Sequence, residues 1–116
     1  MYESTATCNV NYWVMSVTPK RILAANDIIE ATCRVFKITK QALLSKCRDR
    51  YLVRARNICI TVIKDKLHMA LTDIGKLFNR DHTTVIHALR TVENDLSVPA
   101  YRQEINEQIN AVIQLL

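Results

Sequence analysis

Hydrogen-bonding side chains cluster between Arg80 and His87, where the chain reads RDHTTVIH. Apolar residues recur here at helical spacing and predict one helix with two different faces. The apolar stripe contains Val85, Ala88, Leu89 and Val92, and the polar face contains Thr83, His87, Arg90, Thr91 and Asn94. A polar face with many donors and acceptors and almost no acid is typical of a helix that reads base edges in the DNA major groove. Periodicity alone equally fits a polar face that meets only water.

A shorter helix is predicted immediately before this one. Thr72 is a favourable N-cap residue in front of the apolar positions Ile74, Leu77 and Phe78. The polar sequence 79–81, Asn-Arg-Asp, then interrupts the pattern before one long helix can form. Two short helices joined by a tight polar turn predict a helix-turn-helix, in which the second helix contacts the partner.

Positive charge is concentrated in one third of the chain. The net charge is +5, but residues 34–66 carry ten basic and two acidic side chains, whereas residues 93–116 carry one basic and four acidic ones. Solvated basic faces are common in proteins. A basic segment of this density next to a predicted reading helix is better explained by contacts with phosphate groups.

The residue pattern does not favour catalysis or cofactor binding. The four cysteines lie far apart and form no C-x-x-C pair, so they suggest neither a zinc site nor a disulfide framework; Cys33 and Cys59 are interpreted as small core residues. His82 and His87 are more than one helical turn apart, and no carboxylate or thiolate completes a metal site. Gly75 is the single glycine, so no Gly-rich phosphate loop is expected. We therefore expect no metal, no nucleotide, no other cofactor and no enzymatic activity.

Length and composition predict one all-α domain. The chain has 116 residues, 49% of them apolar, with one glycine and two prolines and no strand-like alternation. We expect residues 18–116 to form this domain and residues 1–17 to be an N-terminal arm or an extra packing element. No apolar run reaches membrane-spanning length and the N-terminus lacks the order of a signal peptide, so a soluble, cytoplasmic protein without membrane contact is expected.

Local signals divide the domain into helices. A first helix is predicted from Thr18-Pro19 to about Phe36, and Thr39 is predicted to cap a short helix, KQALL. An exposed basic loop over 45–50 follows, and then a central helix over 51–67 whose apolar stripe is Leu52, Ala55, Cys59, Val62 and Ile63. Ser97 and Pro99 are predicted to cap a last helix with apolar positions Ile105, Ile109, Val112, Ile113 and Leu116. Such a stripe closes a core or forms a homodimer, and the sequence leaves both open.

The string RDHTTVIHA closely resembles the signature of the C-terminal DNA-binding domain, domain IV, of the bacterial replication initiator DnaA. The resemblance runs from about Ile28 to the C-terminus and includes VFKITKQALLSKCRDR, VRARN and LTDIGKLFNRDHTTVIHALR. It implies an all-helical bundle with a helix-turn-helix, related to the Trp repressor fold, that binds short double-stranded sites called DnaA boxes.

The resemblance also implies roles for individual residues. Asp81, His82 and Thr83 match the residues that read bases in the major groove, with Thr84 and His87 as supporting contacts, and Arg48 matches an arginine that enters the minor groove. Positions in or beside the phosphate-contacting surface are matched by Lys46, Arg56, Asn57, Lys64, Leu71 and Thr72; Arg50 and Arg80, from the basic loop and the motif, complete the predicted DNA-binding set.

Departures from the family pattern are expected to change the preferred DNA sequence more than the ability to bind DNA. The family usually has two glycines before Arg-Asp-His, where this chain has only Asn79, so the turn is one residue shorter. Asp49 replaces a usual Ser, Ala55 a usual Pro and Asn57 a usual Gln.

The sequence as a whole predicts a stand-alone protein that binds double-stranded DNA at a DnaA-box-like site, as a regulator of replication or transcription without ATPase activity. Two alternatives stay open. One is a protein-interaction module on the same fold, whose basic surface meets an acidic partner. The other is a phage or mobile-element protein that competes for DnaA-box-like sites.

Overall fold

The computed structural model describes residues 19–116, with side chains from Ala24 onward, and the predicted arm over 1–17 lies outside the described residues. Six helices and no strand occur within this range. They are α1 (Pro19–Phe36), α2 (Lys40–Leu44), α3 (Arg50–Leu67), α4 (Leu71–Leu77), α5 (His82–Ser97) and α6 (Pro99–Gln114). The predicted all-α bundle with a helix-turn-helix is confirmed.

The central helix, α3, organises the bundle because it contacts each of the other five helices. Its predicted apolar stripe is buried, apart from Leu52, which is half-buried. Ile58 and Ile60 are also fully buried, since α3 is covered on more than one side. Each buried isoleucine, valine or leucine stabilises such a core by about 1.5–3 kcal/mol relative to an exposed position.

Several helix boundaries follow the predicted local signals. Helix α1 begins at Pro19, where a missing amide hydrogen costs nothing. The hydroxyl of Thr39 accepts a hydrogen bond from the amide of Ala42 at 3.1 Å and caps α2 as predicted. These short-range interactions fix where the helices begin and do not depend on tertiary contacts.

Two predicted caps are wrong. Helix α4 begins two residues earlier than expected, with Ala70 instead of Thr72 at the N-cap position; Leu71 already packs against the core, and Thr72 is an exposed helical residue. Ser97 is the last residue of α5, where its hydroxyl donates to the carbonyl of Asn94 at 2.6 Å. Pro99 does occupy the first turn of α6 as predicted.

The last helix closes one side of the core. Ile105 and Val112 are buried, and Ile109 and Ile113 are half-buried and pack against the core. Leu116, which was predicted to belong to this stripe, is 56% exposed because α6 ends at Gln114. No helix in residues 19–116 is long and apolar enough to cross a membrane.

Candidate nucleic-acid interface

A tight turn joins α4 to α5. Asn79 adopts a left-handed backbone conformation with a φ of 53°, a conformation that asparagine tolerates better than most residues. The amide of Arg80 then donates to the carbonyl of Gly75 at 2.7 Å. A Cβ atom on Gly75 would lie 2.5 Å from the carbonyl oxygen of Arg80, so only glycine permits this approach. The single glycine and the single asparagine of this segment together make the turn possible.

Helix α5 presents the two faces that the sequence predicts. Val85, Ala88 and Val92 are buried and Leu89 is half-buried against the core. All five residues of the predicted polar face are exposed: Thr83, His87, Arg90, Thr91 and Asn94. The predicted helical period is therefore confirmed, and the polar face is free to meet a partner.

The N-cap residue of α5 and its first two helical residues, His82 and Thr83, are exposed. Asp81 occupies the N-cap position, and its backbone carbonyl accepts from the amides of Thr84 and Val85. Its carboxylate, 71% exposed, lies beside the 53% exposed ring of His82, with Oδ1 and Nδ1 3.2 Å apart. Within the described residues this carboxylate makes no capping hydrogen bond to the helix amides. The carboxylate of Asp81 contacts His82 but no helix amide, so it can still accept from an external donor.

The basic loop, defined as residues 45–49, connects α2 to α3. Lys46, Arg48 and Asp49 are exposed, as predicted, whereas Arg50 is already the first residue of α3. The Asp49 carboxylate accepts from the amide of Tyr51 at 2.9 Å and caps α3. This acid therefore has a local role in ending the loop.

Arg56 differs most from expectation, because it is only 5% exposed. Its Nε donates to the carbonyl of Leu43 at 2.9 Å, and its Nη2 donates to the carbonyls of Ser45 at 2.7 Å and Cys47 at 3.3 Å. Burial lowers the pKa of Arg56, and the nearby positive charge of Arg80 lowers this pKa further. This guanidinium therefore holds the basic loop on α3, and its place in or beside the phosphate-contacting surface stays a prediction.

A groove of about 350 Å³ brings the basic loop and the polar face of α5 together. The predicted residues that line it are Lys46, Arg48, Arg56, Asn57, Arg80, Thr84 and His87. Arg50 lines an adjoining cavity that shares Arg48 and Asn57 with this groove. Residues far apart in the sequence therefore line one groove that carries several basic side chains.

The remaining predicted residues lie outside the lining of this groove. Asp81, His82 and Thr83 are exposed at the start of α5. At the junction of α3 and α4, Lys64 donates from Nζ to the carbonyl of Met69 at 3.2 Å, Leu71 is half-buried and Thr72 is exposed.

The sequence places Thr91 on the polar face of α5, but the predicted DNA-binding set does not include it. It lines both the groove and the adjoining cavity, and its hydroxyl donates to the carbonyl of His87 at 2.8 Å. Its spacing of four residues from His87 on the polar face was the signal that could have included it. Within the described residues, no group of three or more His, Cys, Asp or Glu side chains could hold a metal ion.

A short helix, a left-handed tight turn and a second helix with an exposed polar first turn define a helix-turn-helix domain. A family model described as bacterial dnaA protein helix-turn-helix matches residues 25–92. The chain belongs to this family.

Curated relatives that this chain matches are chromosomal replication initiator proteins DnaA. The protein from Oleidesulfovibrio alaskensis is 36% identical over 87 residues, which cover 73% of this chain and 19% of the relative. The protein from Ureaplasma parvum serovar 3 is 33% identical over 108 residues, which cover 91% of this chain and 23% of the relative. The protein from Mycoplasma pneumoniae is 38% identical over 65 residues, which cover 56% of this chain and 15% of the relative. The chain spans about a fifth of the length of the first two relatives.

Proposed function

We propose that this chain binds double-stranded DNA at a specific sequence resembling a DnaA box. The observation that carries the proposal is the shared groove, because it places the basic loop beside the polar face of α5. A helix in the major groove needs phosphate contacts on its flank to fix its register, and base contacts in its first turn to select the sequence.

The first turn of α5 supplies the base-reading groups. His82 and Thr83 are exposed and carry donors and acceptors that reach base edges. The Asp81 carboxylate would repel phosphate but accepts a hydrogen bond from the amino group of cytosine, which is a donor in the major groove. Thr84 and His87 follow on the groove side and support these contacts.

The basic loop supplies the second contact. Arg48 is exposed between Lys46 and the capped start of α3, and a planar guanidinium that is weakly hydrated suits a narrow A·T-rich minor groove. Phosphate contacts are proposed for Lys46, Arg50 and Asn57 around the groove. Lys64, Leu71 and Thr72, at the junction of α3 and α4, are proposed to lie in or beside the phosphate-contacting surface.

The biological role we propose is regulation of replication or transcription through this DNA contact, without ATPase activity in this domain. Its relatives are named as chromosomal replication initiator proteins, which supports a link to replication.

The test is selection of bound sequences from random duplexes, followed by a salt titration on the enriched duplex and on a scrambled duplex. With about six phosphate contacts, the affinity for either duplex should fall on the order of a thousandfold between about 50 and 200 mM salt. The enriched duplex should stay preferred throughout. No enriched sequence together with a flat salt response would overturn the proposal and favour a protein-interaction module instead.

A further inference from the structure

Arg80 connects the turn before α5 to the basic loop. Its Nη2 donates to the carbonyl oxygen of Ser45 at 2.6 Å, across 35 positions of sequence. The Nη2 of Arg56 donates to the same oxygen at 2.7 Å. One carbonyl at the start of the loop therefore accepts from two guanidinium groups, one on α3 and one in the turn.

The backbone of Arg80 is held between α4 and the start of α5. Its amide donates to the carbonyl of Gly75 in α4 at 2.7 Å, and the following residue, Asp81, is the N-cap of α5. A displacement of the start of α5 must therefore displace the Arg80 side chain that holds the loop.

Hydrogen bonds within the basic loop link the position of Ser45 to the position of Arg48. The Ser45 hydroxyl donates to the carbonyl of Ala42 at 2.7 Å and lies 3.3 Å from the amide of Cys47, which donates to it. Asp49 ends the loop by capping α3. Arg48 stands between these two fixed points.

We propose that Arg80 is a positioning residue that sets Arg48 relative to the first turn of α5, so that the minor-groove and major-groove elements engage DNA as one unit. This inference rests on the proposed DNA-binding function. The Nε of Arg80 is buried and has no hydrogen-bond partner within residues 19–116. The Nε and Nη2 atoms of Arg80 therefore face the protein, which gives this residue a role beyond a simple phosphate contact.

The test is a double-mutant cycle with Arg80→Lys and Arg48→Ala on the enriched duplex. Lysine keeps the positive charge, but its chain is one atom shorter and lacks the planar fork that reaches Ser45. Arg80→Lys should weaken binding about tenfold when Arg48 is present, and less than about twofold when Arg48 is already alanine. Equal losses in both backgrounds would overturn the proposal, since they would mean that Arg80 acts on DNA independently of the loop.

A second measurement needs no DNA. Backbone amide NMR signals of residues 46–49 should move in free Arg80→Lys protein. The matched control is Arg102→Lys on α6, which removes an Nε hydrogen bond to the Leu96 carbonyl, 2.9 Å long, outside the groove lining. Loop signals unchanged in Arg80→Lys, or moved equally in the control, would overturn the proposal.

The two measurements separate the possible failures. A parent protein that does not bind the duplex would overturn the proposed function, while the loop signals would still test whether Arg80 anchors the loop. Thermal melting monitors folding throughout. If Arg80→Lys does not fold, Arg80→Gln takes its place in both experiments with the same two expected outcomes.

Discussion

Replacing Gly75 with alanine should destabilise the domain, although alanine is the better helix former. In a helix interior the exchange of glycine for alanine ordinarily stabilises by about 1 kcal/mol. Here the new Cβ would lie 2.5 Å from the Arg80 carbonyl oxygen, about 1 Å closer than an ordinary contact of roughly 3.5–4 Å. Arg80 cannot retreat freely, because its amide is bonded to the Gly75 carbonyl at 2.7 Å.

The magnitude follows from these opposing effects. Overpacking costs about 1–3 kcal/mol, and weakening one backbone hydrogen bond costs about 0.5–1.5 kcal/mol. After the gain of about 1 kcal/mol in helix propensity is subtracted, Gly75→Ala should lower the free energy of unfolding by roughly 0.5–3.5 kcal/mol. Urea denaturation monitored by circular dichroism measures this quantity.

A matched control is Lys76→Ala, at an exposed neighbouring position of α4. It should change the free energy of unfolding by less than about 0.5 kcal/mol. A Gly75→Ala protein as stable as the parent, with the same preference for the enriched duplex, would refute the argument that the turn requires close approach at this glycine.

Three other predictions concern the DNA surface and the thiols. Asp81→Asn should reduce the preference for the enriched duplex by about 1–3 kcal/mol. Thermal stability should change little, because the carboxylate does not cap α5. An unchanged preference in a binding titration would rule out base reading by Asp81. Arg48→Lys should lose most of the preference for an A·T-rich flank although its formal charge is unchanged, and a preference that persists on duplexes differing only in that flank would assign Arg48 to general phosphate attraction. Cys47 is exposed and should react with a thiol reagent in the folded protein. Cys59 should react only after unfolding, because burial raises its pKa to about 12. Mass spectrometry of the modified peptides measures both reactions, and modification of Cys59 in the folded protein would contradict the prediction.

Short-range signals predicted most of the fold. The division of α5 into a buried and a polar face follows from the spacing of Val85, Ala88 and Val92, and the start of α2 follows from Thr39. These features depend on residues within one or two helical turns of each other, so the sequence carries them directly. His82 and Thr83 at the start of α5 are exposed for the same reason.

The role of Arg56 could not be predicted in this way. An arginine within a basic helical segment is usually a surface residue. Its burial depends on the carbonyls of Leu43, Ser45 and Cys47, which point toward α3 only after α2 and the loop have packed. The close approach of Gly75 to Arg80 was equally hidden, because it exists only when Asn79 adopts its left-handed conformation.

The capped and hydrogen-bonded basic loop has a thermodynamic consequence for association. A flexible basic arm loses conformational freedom when it binds, at about 1–2 kcal/mol for each backbone residue that becomes ordered. In this domain, contacts of Ser45 and Asp49 restrict the loop before a ligand arrives. Most of that ordering is therefore complete in the free protein, so Arg48 should engage a groove with little additional entropic cost and little rearrangement of its own backbone.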